Sequence, residues 1–361
     1  MKLISPLCDE VVYTCHEIAR DYLMSRKHGI DVLNGETMPL TERDAYAPVV
    51  LRWENDTPTA GYTLTYCGGG TERSVSLPAD ATSYAMHNLF KGTAYEWTLT
   101  AAGDSPAVLT GRFYVSDTGP RVAHIDGLTN LRDLGGYTVK DGRLRQGLLY
   151  RSAHPDHLTE QGVADNDEYL GIRTQMDLRW GQTYPDNIGP LGAHRHWQVV
   201  AVSAYGAIAD EETKRLSEGY LHAFRFLTDA SRYPIVFHCA GGADRTGTLA
   251  FLVDALLGVS YEELVWDYEF TTFSCPDEVH NRRYIDGYVG LASQTLGALM
   301  HALGYDCPIK RTRAGEPYYA APPIDAPQLV ARPLQSVVEA FLLDGGITKE
   351  EIEAIKRILI E

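Results

Sequence analysis

Apolar and polar residues alternate in short runs over residues 45–117. The clearest runs are 49–53, 61–66 and 95–100, and Gly, Pro, Asn and Asp clusters separate them. Alternation with a period of two is typical of strands that bury one face, and frequent turns between such strands are typical of a β-sandwich. The pattern therefore predicts an N-terminal β-sandwich domain at 45–117.

Beyond residue 121 the pattern changes to strands that alternate with helices. The predicted order is strand 147–151, helix 158–171, strand 174–178, helix 211–230, strand 235–237 and helix 246–257. This alternation indicates an α/β fold, a mainly parallel sheet flanked by helices, with the functional site at the carboxyl ends of the strands. We therefore predict a second domain at 121–361, joined to the sandwich by a linker at 116–120.

The N-terminal segment carries apolar residues at helical spacing. Cys8, Cys15 and Tyr22 belong to a stripe of residues three and four apart within 1–30, which predicts an amphipathic N-terminal helix. The two cysteines lack the Cys-x-x-Cys spacing of zinc ligands, so we interpret them as packing residues.

The C-terminal part combines an irregular segment with a final helix. Residues 305–333 are rich in proline and contain the basic run 310–313, which predicts a long excursion without regular structure. Thr348 and Glu351 have the spacing of a capping box, so a helix is expected to begin there.

Composition and charge restrict the possible partners. The chain has 361 residues, 44% apolar and 22% charged, and a formal net charge of −16. Such a charge disfavours nucleic acid and acidic membranes as partners, because both would be repelled. The N-terminus lacks the apolar run of a signal peptide and no stretch reaches transmembrane length, so we expect a cytoplasmic protein, although the pattern leaves secretion open.

Cysteine and histidine usage indicates neither a disulfide framework nor a metal site. Six cysteines in 361 residues are too sparse for a disulfide scaffold. The pair His194 and His196 has no third ligand nearby, so no metal and no cofactor are predicted.

The strongest chemical signal is a strand, loop and helix at 234–258. A strand that feeds a glycine-bearing loop into a helix N-terminus directs backbone N–H groups and the helix dipole at one point, which suits a phosphate group. Cys239 opens the loop, where the helix dipole and an arginine favour the thiolate nucleophile. Arg245 closes it and can hold two phosphate oxygens. The expected phosphate-binding residues are Ala240, Gly241, Gly242, Ala243, Thr246 and Gly247.

These residues resemble a known family. His238, Cys239, five intervening residues, then Arg245, Thr246 and Gly247 resemble the signature of cysteine-dependent protein tyrosine phosphatases. The resemblance implies a phosphomonoester hydrolase that acts on phosphotyrosine or a related phosphorylated substrate through a phosphocysteine intermediate.

Further motifs are similar to those of a bacterial branch of these phosphatases. They lie at 130–137, 150–153 and 177–179, in the order that this branch shows. Two positions depart from it: Ala243 stands where a lysine is common, which weakens a case for phosphoinositides, and the usual glutamate after Arg179 is missing.

The general acid is the least determined residue. We expect Asp244, inside the loop, to protonate the leaving group, as the resemblance to the bacterial branch implies. Asp186, in a Tyr-Pro-Asp sequence, is an alternative that stands far before Cys239. Asp177 and Asp133 are third choices, because a carboxylate at a strand end more often accepts hydrogen bonds from loop N–H groups.

Two arginines near the predicted site have two interpretations. Arg132 and Arg151 can add positive potential at the mouth of the pocket, or they can pair with carboxylates, which is the commoner outcome for arginines.

The N-terminal sandwich resembles a fibronectin type III module. Residues 89–95 match the pattern before its sixth strand, where Tyr95 would form a tyrosine corner, and Trp53 fits the tryptophan of the second strand. We expect a rigid appendage of the catalytic domain, and a protein or glycan partner is the alternative. Tyr62 and Tyr66 are interpreted as strand formers rather than as a carbohydrate platform.

Two other functions remain as alternatives. The loop can belong to a catalytically silent module that recognises a phosphorylated partner, although the intact Cys239 and Arg245 argue against it. A rhodanese-like sulfur transferase is a weaker alternative, because its loop lacks the Arg-Thr-Gly closure.

Overall fold

The structure is a computed structural model of the chain. It describes residues 1–26, 45–56, 58–103, 107–202, 214–274, 289–311 and 315–361. Cys275, residues 211–213 of a predicted helix and residues 312–313 of the basic run lie outside these ranges.

The N-terminal part contains two sheets that share one hydrophobic core. Its strands are β1 (Lys2–Ser5), β2 (Glu10–Val12), β3 (Val49–Glu54), β4 (Tyr62–Gly68), β5 (Thr71–Leu77), β6 (Ser83–Met86), β7 (Thr93–Ala101) and β8 (Val108–Val115). One sheet has the order β1-β3-β6 and the other β2-β8-β7-β4-β5. Trp53, Leu64 and Trp97 are among the side chains buried between them.

Tyr62 and Tyr66 are also buried in this core. Neither is therefore a surface residue, which agrees with their interpretation as strand formers. The hydroxyl of Tyr95 accepts a hydrogen bond of 2.9 Å from the backbone N–H of Phe90 and so fixes the turn before β7.

The helix predicted within residues 1–30 is much shorter than expected. Helix α1 covers only Glu17–Ser25, whereas the residues before it form β1 and β2. Leu3 pairs with Trp53, and Val12 pairs with Val115, so each short strand extends a sheet that is already present. Pairing with the free edges of those sheets favours an extended conformation over the helix that the weak spacing of the segment predicted. Cys8 is consequently exposed.

The second part is built on a six-stranded mixed sheet. Its strands, with a separate small hairpin of β11 and β12, are β9 (Arg121–Val122), β10 (Arg132–Asp133), β11 (Thr138–Val139), β12 (Gly142–Arg143), β13 (Leu149–Ser152), β14 (Thr174–Asp177), β15 (His196–Val199) and β16 (Ile235–His238). The order is β15-β14-β16-β13-β10-β9. The pairs among β15, β14, β16 and β13 are parallel, and β10 and β9 add antiparallel strands at one edge.

Helices cover this sheet. They are α2 (Glu160–Asp165), α3 (Lys214–Phe226), α4 (Asp244–Leu257), α5 (Tyr261–Glu269), α6 (Val289–Ala302), α7 (Pro327–Ala331), α8 (Leu334–Asp344) and α9 (Lys349–Leu359). The α4 residues from Thr246 to Leu257 are all buried, so this helix forms the centre of the larger core. The capping box of Thr348 and Glu351 is present at the start of α9, which confirms that prediction. In the described ranges, no helix has the length and apolar character needed to span a bilayer.

Residues 305–333 are more regular than predicted. They contain an antiparallel hairpin of β17 (Ile309–Arg311) and β18 (Pro317–Tyr319), followed by α7. The Tyr319 ring stacks on His301 of α6 at a centroid distance of 3.7 Å. This tertiary contact holds the hairpin against the domain, and proline content alone did not reveal it.

Buried polar residues join the two parts of the chain. Arg121 donates to the backbone carbonyls of Asn88 (2.6 Å) and Leu89 (3.0 Å) and pairs with Asp133 at 2.6 Å. The Lys91 ammonium donates to the Gly119 carbonyl at 2.7 Å, and burial lowers its pKa to about 8. Because these groups are satisfied only when both parts are in place, the junction is specific.

Candidate active site

Cys239 lies in the middle of the sheet, at the edge formed by the carboxyl ends of the parallel strands. Strand β16 is buried along its whole length between β13 and β14, and Cys239 follows it directly with 3% of its surface exposed. Helix α4 begins at Asp244. The strand, loop and helix therefore have the predicted arrangement, and Arg245 lies in the first turn of the helix.

The backbone carbonyls of the loop are held from outside it. Three consecutive carbonyls each accept one hydrogen bond from a neighbouring segment: Ala240 from the His154 N–H (2.9 Å), Gly241 from the Asn130 amide (3.0 Å) and Gly242 from the Arg151 guanidinium (2.7 Å). When the carbonyls of a loop bond outward, its N–H groups can face the concave side. The carbonyl contacts of this loop are therefore compatible with an anion-binding nest.

Two positions, one in the loop and one after it, require glycine. Gly242 has a φ of +68°, and a Cβ there would lie 2.4 Å from the Ser152 carbonyl oxygen. A Cβ on Gly247 would lie 2.9 Å from the ring of Tyr268. The loop therefore follows its path only because Gly242 has no side chain, whereas Gly247 lies in the first turns of α4 and allows Tyr268 to pack closely against that helix.

Arg132 and Arg151 do not line the mouth of a pocket. Both are buried, and both pair with Asp267 of α5: Arg132 through a bond of 2.9 Å and Arg151 through a shorter contact. Burial alone raises the pKa of Asp267, but the two guanidinium groups outweigh burial and lower it. Of the two interpretations, pairing with a carboxylate is therefore the one found, and these arginines support the loop from behind.

Asp133 and Asp177 also have structural positions. Asp133 accepts hydrogen bonds from the N–H groups of Gly135 (2.8 Å) and Gly147 (2.6 Å) and pairs with Arg121. Asp177 is fully buried and pairs with Arg179 at 2.9 Å. Both carboxylates therefore accept bonds from nearby donors, as the strand-end argument predicted.

An ion-pair cluster beside the loop was missed by sequence reasoning. Arg179 binds Asp156 at 2.8 Å, and Tyr184 donates to the same carboxylate at 2.5 Å. Burial raises the pKa of Asp156, but the hydrogen bonds from Arg179 and Tyr184 outweigh it and lower the pKa to about 2. Asp156 thus stays ionised. The one feature of the sequence that could have indicated a place near the site is its position four residues after the end of β13.

The remaining predicted residues differ in their surroundings. Arg245 forms no ion pair with any residue in the described part of the chain. Asp244 is half-buried at the first position of α4, whereas Asp186 is exposed in the short turn Pro185–Asn187. The Thr246 hydroxyl is buried without a hydrogen-bond partner among the described residues.

Comparison with known proteins gives one family match over most of the chain. A family model described as the tyrosine phosphatase family matches residues 123–361. The chain belongs to this family. The match begins just after β9 and includes the whole loop between Cys239 and Arg245.

The chain is also similar to individual members of the family and to solved structures. It is 30% identical over 166 residues to Putative tyrosine-protein phosphatase H16_A0669 of Cupriavidus necator, a match that spans 40% of this chain and 60% of that protein. The core catalytic domain of the PP-IP phosphatase SIW14 from S. cerevisiae shares 17% identity with a TM-score of 0.29, over 42% of this chain and 83% of that one. A second structure of a Siw14 catalytic core shares 15% identity with a TM-score of 0.26, over 38% and 77%.

Next to the cysteine, His238 is held in its neutral form. Its Nδ1 lies 3.1 Å from the Cys239 carbonyl oxygen and its Nε2 lies 3.0 Å from the Gln175 amide nitrogen. A proton on Nδ1 satisfies both contacts, which assigns the tautomer. Burial lowers the pKa of His238 to about 4.

This shifted pKa makes stability depend on pH. Between pH 7 and pH 5 the unfolded chain takes up a proton at position 238, whose unfolded pKa is about 6.5, and the folded chain does not, so His238 should lower the free energy of unfolding by about 2 kcal/mol. Urea unfolding at both pH values should show that His238→Asn loses this part of the pH dependence. An unchanged difference between the two pH values in the variant would contradict the assignment.

Within the described ranges, no group of three or more His, Cys, Asp or Glu side chains is placed to hold a metal ion.

Proposed function

We propose that the protein is a phosphomonoester hydrolase of the protein tyrosine phosphatase type, which acts through a phosphocysteine intermediate. The observation that carries this proposal is the loop itself. Cys239 stands at its base, its carbonyls are bonded outward, and Arg245 keeps a guanidinium that no described carboxylate neutralises. The chain spans 60% of the length of the curated relative it matches. The proposed activity therefore rests on the geometry of the loop and not on that relative.

The proposed reaction has two displacements at phosphorus. The phosphate of the substrate occupies the loop, where N–H groups and Arg245 bind its oxygens and place phosphorus over the sulfur. The Cys239 thiolate attacks, an S–P bond forms, the ester P–O bond breaks, and the leaving oxygen takes a proton from Asp244. Water then attacks the phosphocysteine, gives its proton to the Asp244 carboxylate, and releases inorganic phosphate and the thiolate.

The proposed acid predicts a dependence on the leaving group. Asp244→Asn should lower kcat/KM, which reports the steps up to loss of the leaving group, about 10²- to 10⁴-fold for phosphotyrosine, whose leaving group is a poor one, and much less for p-nitrophenyl phosphate, because p-nitrophenolate leaves without a proton. Steady-state kinetics with a series of aryl phosphates measures the slope of kcat/KM against the pKa of the leaving phenol.

Asp186→Asn is the matched control for that series. It removes the same charge from the exposed turn Pro185–Asn187 and should leave the slope unchanged. If Asp186→Asn steepens the slope and Asp244→Asn does not, the acid is Asp186.

An aromatic phosphate ester is the favoured substrate class. Trp180 is 64% exposed, and it follows Arg179, which Asp177 and Asp156 hold in place. An exposed indole on an anchored backbone at the same sheet edge as Cys239 suits stacking with an aryl group. A panel of phosphotyrosine, phosphoserine, phosphoinositide and inositol phosphates tests this preference, and faster turnover of the non-aromatic members would contradict it.

We also propose that the N-terminal sheets form a fibronectin type III-like β-sandwich that serves as a rigid appendage. The shared core around Trp53 and the Tyr95 hydrogen bond support this assignment. The buried contacts of Arg121 and Lys91 support rigid attachment to the catalytic part. A protein or glycan partner of these sheets remains the alternative function.

The silent-module alternative has less support. A module that only recognises phosphate has no need for a reduced thiol at the base of its loop, and Cys239 is a free thiol. The same need for a reduced thiol supports a cytoplasmic location as part of the proposal.

A further inference from the structure

A cleft lies at the end of the central sheet opposite to Cys239. It has a volume of about 500 Å³ and is lined by Arg173, Thr174, His194, Arg195, His196, Asp229, Ser231 and Arg232. Thr174 and His196 are the first residues of β14 and β15, whereas Cys239 follows the last residue of β16. The cleft therefore shares no residue with the catalytic loop.

The cleft is cationic in a strongly acidic molecule. Three arginines and two histidines line it against one aspartate, although the whole chain carries a net charge of −16. Arg173 is exposed and forms no ion pair with any described residue. Clefts of roughly 300–1,000 Å³ accommodate small ligands, so this volume admits a compact anion.

Two of the side chains that line the cleft contact the same aromatic ring. The Arg232 guanidinium lies 3.9 Å from the centre of the Phe226 ring and donates to the Phe226 carbonyl at 3.1 Å. The His196 ring stacks on the same phenylalanine at a centroid distance of 6.4 Å. Asp167, which does not line the cleft, pairs with Arg195. Ordering these side chains before a ligand arrives reduces the entropy lost on binding.

We propose that this cleft binds a small ligand with several phosphate groups. Guanidinium groups bind phosphate oxygens in bidentate pairs, and three of them around one cleft match an anion with more than one phosphate. Asp229 pairs with Arg232 and Asp167 pairs with Arg195, so each carboxylate competes with a ligand for one guanidinium, and Arg173 has no carboxylate partner among the described residues.

Calorimetric titration with inorganic tripolyphosphate tests this site without turnover. The titration uses the full chain with Arg245→Ala, which weakens anion binding at the catalytic loop, so the result does not depend on the proposed phosphatase activity. One equivalent should bind, and Arg173→Glu in the same background should weaken binding about 10- to 100-fold. Because Arg173 is exposed and unpaired among the described residues, this change should leave the melting temperature unaltered.

Arg52→Glu is the matched charge reversal, at an exposed position of β3. Binding should be the same in this control as in its parent. Absence of binding, equal weakening by both reversals, or no effect of Arg173→Glu would overturn the proposal. A phosphopeptide that binds more tightly than tripolyphosphate, and whose binding is lost in Arg173→Glu, would show that the cleft binds a protein segment. That result would overturn the proposed class of ligand.

Discussion

Cys239→Ser is expected to lower hydrolysis of p-nitrophenyl phosphate by at least about 10³-fold, since a hydroxyl at this position lacks the nucleophilicity of a thiolate. The substitution replaces one buried atom by a smaller one, so the loop should keep its hydrogen bonds to His154, Asn130 and Arg151. Vanadate or phosphate should therefore still bind, which calorimetry measures on the same preparation.

Cys307→Ser is the matched control for this experiment. Cys307 is also a buried free cysteine, and it is remote in sequence from the loop. Its replacement should leave turnover unchanged. Full turnover in Cys239→Ser, or equal losses in both variants, would contradict the cysteine mechanism.

The second large effect is expected from Asp267→Asn. The carboxylate of Asp267 pairs with Arg132 and Arg151, and all three side chains are buried. Removing its charge leaves two buried guanidinium groups without a counterion, which should lower the free energy of unfolding by about 3–5 kcal/mol. Urea unfolding followed by circular dichroism measures this loss.

Activity should fall together with stability in this variant. Arg151 donates to the Gly242 carbonyl, and Arg132 holds Asn130, whose amide donates to the Gly241 carbonyl. Asp9→Asn is the control, because Asp9 pairs with Arg112 on the surface and its loss should cost far less. Normal stability and activity in Asp267→Asn would show that the ion pairs do not support the loop.

The conformation of the loop between Cys239 and Arg245 was predictable because its signals are local. Strand 235–237, the glycines at 241 and 242 and the helix that starts near Thr246 follow one another within a few residues, and each has a distinct sequence pattern. The structure differs from that prediction only at the boundaries, with β16 ending at His238 and α4 beginning at Asp244.

The supports behind the loop were not predictable in the same way. Asp267 lies 135 residues after Arg132 and 116 after Arg151, and no local pattern connects residues so far apart. Without that partner, the two arginines were interpreted as surface residues. Their role depends on the packing of α5 under the loop, which only the folded chain shows.

The short N-terminal strands show a related limit. A run of four or three residues, such as β1 or β2, has too few positions to separate a period of two from one of 3.6. Their conformation is decided by pairing with β3 and β8, which lie far along the chain.

The central claim is that Cys239 carries the phosphoryl group during turnover. Rapid acid quenching during hydrolysis of p-nitrophenyl phosphate, followed by mass spectrometry of proteolytic peptides, tests it directly. The account predicts one added phosphoryl group on the peptide that contains Cys239, accumulating further in a variant with slow hydrolysis of the intermediate, such as Asp244→Asn. Two results on enzyme quenched during active turnover would contradict it: a phosphoryl group on another residue, or no phosphoryl group at any quench time.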